Sequence, residues 1–363
     1  MNKEYYSRIF QALFLVFCLT TCSSEQPQDA ALNSVNPWAK VDLPDLSRQP
    51  ITLRVASVIN PRFKQLSKEQ VAQILNRSQQ LVKQYFDIDI LFSEADMLDI
   101  ETVFKSLSEK LIHERKSEIV DINFIDKQAR ENMQQALFKT LSLYRDNKNN
   151  VIGFAQPYLL HPGIKQTGFI GLSYALTDTL ISRLNYWKDQ TAEDGEPVLD
   201  ASRYNQWVWW DSLGYSDLHY DVVLTNQLVA SAERYGMDVH SSIRGGLTAG
   251  TTTYSKKAQF NSYAYIMVYP MLNDTDLLTT LRHDKSYTDE QVVNYSAALL
   301  THELGHLLLH LGHPFGNKHC IMSPTVMLNY RDWYDNLDAS LCAIGSSKDM
   351  RVGAVELEYN KNW

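Results

Sequence analysis

The sequence predicts an α+β fold: a mixed sheet carrying helices, a long helix late in the chain, and an inserted aromatic-rich excursion. Three observations predict it. Ile51–Ile59 alternates well enough for a strand and is stopped by Pro61, and Tyr263–Met271 is strongly strand-like. Helical periodicity recurs between them. The longest amphipathic stretch opens at Thr288 with Gln291 three residues on, a capping box.

In order along the chain, Ile51–Ile59 reads as a strand ended by Pro61. Ser67 and Gln70 cap a helix that runs to about Tyr85, with Val71, Ile74, Leu75, Leu81 and Val82 on its apolar stripe. Asp87–Phe92 is a second strand, and Glu101–Arg115 and Lys127–Tyr144 are helical. Val151–Gln156 and Thr167–Leu172 read as short strands. Residues 175–218 form the excursion, holding Trp187, Trp207, Trp209 and Trp210 among polar residues. It is read as a packed cap, with a glycan- or substrate-lining surface as the alternative. Asp221–Val229 is a strand, and the Gly- and Thr-rich Gly245–Tyr254 fits either an edge strand or a turn.

Composition narrows the function classes. The 363 residues are 44% apolar and 21% charged, ordinary for a chain that buries a core. A formal net charge of −8 argues against a nucleic-acid partner, which calls for a basic face.

The N-terminus reads as export. Lys3 and Arg8 precede a short apolar run, Ile9–Leu19, too short to span a bilayer comfortably. Residues 1–21 followed by Cys22 resemble a bacterial lipoprotein signal, although Thr21 stands where that pattern has Gly, Ala or Ser. The resemblance implies a lipid on Cys22 and attachment to a bacterial membrane, by analogy the outer one, through that lipid only; a plain secretory signal is the alternative. Residues 22–50, punctuated by Pro27, Pro37, Pro44 and Pro50, read as a polar tether, leaving 51–363 as one domain. Cys18 leaves with the signal, so Cys320 and Cys342 form an even pair, compatible with an oxidising compartment.

The chemistry concentrates at His302-Glu303-Leu304-Gly305-His306. Histidines four apart on a helix share a face, so both imidazoles can hold one Zn²⁺ at about 2.0–2.1 Å. Glu303 between them can accept a proton from the water such an ion activates. By composition a chance occurrence is on the order of one in a hundred. For a third ligand, His310 lies about 12 Å of helical rise from His302. His313 follows Gly312, a residue suited to turning the chain back, and is preferred. His310 in a distorted helix end, His319 and a distant carboxylate stay open. His113, His161, His219, His240 and His283 lie outside any ligand spacing. Asp332, Asp335 and Asp338 lack calcium-loop spacing and read as a solvated helix face.

Residues 288–330 resemble the metzincin family of zinc peptidases, whose pattern is HExxHxxGxxH followed by a methionine-containing turn. Leu309 stands at the family's glycine position and Gly312 at its third histidine. Cys320-Ile321-Met322-Ser323-Pro324 is similar to the turn of cysteine-bearing metzincins such as the archaemetzincins and adamalysins. The resemblance implies Met322 as an apolar floor beneath the ligands, with Met327 competing for that role, and Cys342 clamping the segment by pairing with Cys320. The further cysteines of archaemetzincins are absent, so a second zinc site is not expected. Implied too are Zn²⁺ as cofactor, a peptide or protein substrate, and a metal-activated water deprotonated by Glu303. Gly245–Tyr254 is the candidate edge for an extended peptide. Tyr330 reads as a packed tyrosine, with oxyanion stabilisation as the alternative. Two competing readings stand beside an endopeptidase: a non-enzymatic, zinc-stabilised lipoprotein binding a protein or glycan partner, and a zinc hydrolase of non-peptide amides.

Overall fold

The computed structural model describes residues 48–105, 107–110, 127–201, 203–215, 217–231, 239–253, 261–282, 286–309, 311–313, 317–325 and 328–342. The signal, Cys22 and almost all of the tether lie outside the described residues, as do His113, His283, His310 and Met327. The strands are β1 (Ile51–Leu53), β2 (Val55–Ile59), β3 (Ile90–Phe92), β4 (Asp96–Asp99), β5 (Val222–Thr225), β6 (Gly250–Thr253) and β7 (Tyr263–Met267). The helices are α1 (Lys68–Phe86), α2 (Ile100–Phe104), α3 (Lys127–Ser142), α4 (Lys148–Ala155), α5 (Phe169–Lys188) and α6 (Gln206–Tyr215). They continue with α7 (Val239–Ile243), α8 (Tyr269–Leu272), α9 (Asp276–Arg282), α10 (Asp289–Leu309) and α11 (Tyr330–Asp335).

The architecture is α+β around a mixed five-stranded sheet of order β4-β2-β5-β7-β6. β2, β4, β5 and β7 run parallel, in the registers Ser57↔Met97, Val55↔Val222 and Val222↔Ala264. β6 is the antiparallel edge strand, with Gly250 opposite Ile266. The central strands β5 and β7 are buried at every position, the mark of parallel strands covered on both faces. That is why they read as continuous apolar runs rather than as alternation.

α10 is the element that matters for function. Thr288 accepts from the Gln291 amide at 3.3 Å and Gln291 Oε1 accepts from the Thr288 amide at 2.9 Å, a complete capping box. From Tyr295 to Leu309 every residue is buried, because α10 lies against β6, β7 and α1 at once. α1 carries its own capping box at Ser67 and Gln70. The two helices are pinned by a buried hydrogen bond between Ser78 and Thr301, 3.1 Å.

Several expectations are corrected. Ile51–Ile59 is two strands broken at Arg54: β1 pairs with β3 in a separate two-stranded sheet, β2 with the main sheet. The second strand starts only at Ile90, because Asp87 adopts the left-handed conformation that ends α1. Val151–Gln156 and Thr167–Leu172 are not strands. They belong to α4 and to the start of α5, with Val151 and Ala155, then Leu172, Leu176, Leu180 and Leu184, buried at helical spacing. A short apolar run has no period long enough to separate strand from helix. The expected start of the excursion, residue 175, therefore falls within α5. The helix expected at Glu101–Arg115 opens as α2, which ends at Phe104; 111–126 lie outside the described residues. Trp187 and Trp209 are fully buried, and Trp209 stacks on Tyr265 of β7 at 5.5 Å, as a packed cap requires. No helix of the described residues is long and apolar enough to cross a membrane.

Candidate metal centre

α10 delivers His302, Glu303 and His306, all more than nine-tenths buried. The helix ends at Leu309, and the chain turns so that the Leu311 amide donates to the Gly305 carbonyl at 3.3 Å. His313 thereby comes back over the helix it has just left. Its Nε2 stands 3.2 Å from His302 Nε2 and 3.1 Å from His306 Nε2, and those two are 3.1 Å apart. Among the described residues, these three histidines are the group whose ligand atoms converge closely enough to hold a metal ion.

The donor set fits a metal. His302 Nδ1 donates to the Ile321 carbonyl at 2.8 Å, and His306 Nδ1 donates to the Leu311 carbonyl. Each Nδ1 thus carries the hydrogen, so each Nε2 presents a lone pair inward. Burial drives the pKa of His302 and His313 well below the usual histidine range, with neighbouring histidines adding to the effect. Neutral imidazoles cannot hydrogen-bond lone pair to lone pair. Nitrogens about 3.1 Å apart do leave a point on either side of their plane about 2.0–2.1 Å from all three, the Zn–N distance.

Glu303, next to His302 in sequence, is held by the edge strand. Thr252 Oγ1 donates to Glu303 Oε2 at 3.0 Å and to the Glu303 carbonyl at 2.9 Å. Gly250 is a glycine by necessity, since a Cβ there would lie 2.6 Å from Glu303 Oε1. Burial pushes the Glu303 pKa up to about 8, opposed by the Thr252 hydrogen bond and the charge of Arg244. A cation in the histidine site acts in the same direction as Arg244.

Met322 is fully buried and packs against α10 at Gly305. Cys320 and Cys342 are bonded, closing this segment into a loop. Trp333 donates to the Ser323 carbonyl at 3.0 Å.

Other anticipated residues fall elsewhere. His319 is tied by Nδ1 to the Asn336 carbonyl at 2.7 Å and does not join the cluster, and no carboxylate joins it among the described residues. His161 and His219 stand apart from it too. Tyr330 is fully buried with its hydroxyl unpartnered among the described residues, a packed tyrosine. Sequence reasoning missed Gly250, Thr252, Arg244 and His240. The His240 ring meets that of His313 edge-on, centroids 4.9 Å apart. Arg244 is buried and donates to Thr325. Spacing within α10 carries no trace of any of them; the signal was confined to the glycines of Gly245–Tyr254, where β6 lies. Comparison of the chain with protein-family models, curated proteins and solved structures finds no match, so the reading of this centre rests on its own geometry.

Proposed function

We propose that this chain is a zinc-dependent endopeptidase of metzincin type, exported and held at a bacterial membrane by a lipid on Cys22. One observation carries the reading: three inward-facing imidazole nitrogens within 3.2 Å of one another, next to a buried carboxylate. His302, His306 and His313 would hold the metal. Zn²⁺ bound there supplies Lewis-acid activation of water and of the scissile carbonyl.

The chain's own groups do the rest. Glu303 takes a proton from the attacking water and passes it to the departing amide nitrogen, so the carboxylate is regenerated as the C–O bond forms and the C–N bond breaks. Thr252 fixes the orientation of that carboxylate. The Ile321 and Leu311 carbonyls hold His302 and His306 in the ligating tautomer. The substrate is a peptide in extended form. Among the described residues β6 pairs with β7 on one side only, so its other edge can accept a peptide as an added strand. An acidic chain needs no nucleic-acid partner for any of this.

The test is Glu303→Gln in the full chain, with zinc content and digestion of a peptide library measured together. Cleavage is expected to fall by roughly 10²–10⁴-fold while zinc stays bound. Cleavage at the wild-type rate would remove Glu303 from the mechanism. Labelling with a radioactive fatty acid checks the anchor: the label should be lost in Cys22→Ala, and its retention would place the lipid elsewhere.

A further inference from the structure

His313 differs from the other two ligands. It lies beyond the end of α10, so no helix sets its ring. Three rings pack on it: it stacks on His302 at 5.1 Å and 22°, and stands edge-on to His306 and to His240, each 4.9 Å away. Of these, His240 alone comes from outside the metal-binding segment, on α7. We propose that α7 is a brace for the third ligand, with His240 as the positioning residue that sets the ring of His313.

α7 is itself pinned from both sides, which a brace requires. On one side stands α5. Arg183 donates to the Ile243 carbonyl, and Trp187, fully buried, donates from Nε1 to the Arg244 carbonyl at 3.1 Å. Gly245, at φ +75°, lets the two segments touch, since a Cβ there would lie 2.6 Å from Arg183 Cβ. On the other side Arg244 donates to both the carbonyl and the hydroxyl of Thr325, each at 2.7 Å, tying α7 to the segment that begins at Met322. The Arg244 amide donates to the His240 carbonyl at 3.1 Å, so the anchored residue and the bracing ring are one helical turn apart. The chain of contacts runs from Trp187 through Arg244 and His240 to His313. It gives the helical excursion a purpose beyond covering the sheet.

This inference rests on the metal-centre reading, and its test separates the two. Zinc affinity of the full chain is measured by competition with a chromophoric chelator for wild type, His302→Ala, His240→Ala, His240→Phe and Trp187→Phe. The melting temperature of each metal-free protein and the visible spectrum of each Co²⁺ form are recorded alongside. His240→Ala should bind zinc roughly 10- to 100-fold more weakly, as loss of an outer contact to a ligand does, with an unchanged metal-free melt and a shifted Co²⁺ spectrum. His240→Phe keeps the ring edge and should stay within about threefold of wild type. Trp187→Phe should weaken binding without unfolding the protein, and it carries the test if His240→Ala does not fold. Wild-type affinity in His240→Ala overturns the brace, as does equal weakening in His240→Phe and His240→Ala, or no effect of Trp187→Phe. Failure of the wild type to bind zinc at all, or full binding by His302→Ala, overturns the metal centre itself.

Discussion

Gly305 leaves the space that Met322 fills: a Cβ on Gly305 would run into the Met322 sulfur and stand 2.9 Å from Phe86 Cζ. The glycine inside the HExxH segment is thus a packing requirement rather than a weakness in the helix. Gly305→Ala gains a little intrinsic helix propensity, worth up to about 1 kcal/mol. Against that stands overpacking of a closed core, which costs about 1–3 kcal/mol. The net effect should be destabilising in urea unfolding. Met322→Ala should cost about 2–5 kcal/mol by itself through the cavity it leaves. The double variant should be more stable than the sum of the two losses predicts, because the extra methyl then has room. Strict additivity would mean that the two residues do not share this space.

Thr252 makes the second prediction. Its hydroxyl donates both to the Glu303 carboxylate and to the Glu303 carbonyl. Thr252→Val keeps the shape and removes the donor, so a buried carboxylate loses a partner, at a cost of about 1–3 kcal/mol. Peptide cleavage should fall by about tenfold or more through kcat, with zinc content unchanged. Thr252→Ser, which restores the hydroxyl, should recover most of it. If Thr252→Val cleaves as fast as wild type, the edge strand does not orient the base.

How much of this was legible in the sequence follows from how local each signal is. His302, Glu303 and His306 are legible because helical geometry alone puts them on one face, and Thr288 with Gln291 marks where that helix begins. His313 was reachable through Gly312, although its distance from the other imidazoles was not. Gly250 and Thr252 meet Glu303 across 51 residues or more, through the pairing of β6 with β7 and its contact with α10. No pattern inside either segment reports such a contact. His240 looked inert for the same reason: its meaning lies entirely in the ring it touches. The errors at α4 and α5 have a different origin. Val151–Gln156 and Thr167–Leu172 each span fewer than two helical turns, too short a window for a 3.6-residue period to show.

An acid-labile tie lies away from the centre, where Arg62 grips Asp194 with two hydrogen bonds, 2.6 and 2.9 Å. The Arg62 bond and the Glu196 amide lower the Asp194 pKa to about 2, from 3.8. A carboxylate depressed in the folded state adds stability above its unfolded pKa and loses it as pH falls through the folded one. The contribution is therefore full above about pH 5 and fades between about pH 4 and pH 2. Both side chains are partly exposed, so the effect is small and salt-sensitive. Asp194→Asn should melt lower than wild type at pH 6 and converge with it as pH approaches 2. Parallel melting curves across that range would show that the pair contributes nothing.

The disulfide is the last lever on the centre. Cys320 and Cys342 are 22 residues apart in sequence and enclose several groups that touch the centre or its supports. Within that loop sit the Ile321 carbonyl that accepts from His302, the buried Met322, the Thr325 group held by Arg244, and Trp333, which donates to Ser323. Closing a loop of this size removes unfolded-state entropy worth about 3 kcal/mol. Cys320→Ala with Cys342→Ala should lower stability by about that much in guanidinium unfolding. A larger consequence is expected for the metal. With the loop open, the acceptor for His302 Nδ1 is no longer fixed, and zinc affinity should drop by roughly 10-fold or more. Peptide mapping of the unreduced protein should recover the linked pair, and mild reductant should lower zinc affinity in wild type but not in the double variant. If reduction leaves wild-type affinity unchanged, the loop is clamped by its buried contacts alone, and the bridge serves only the unfolded state.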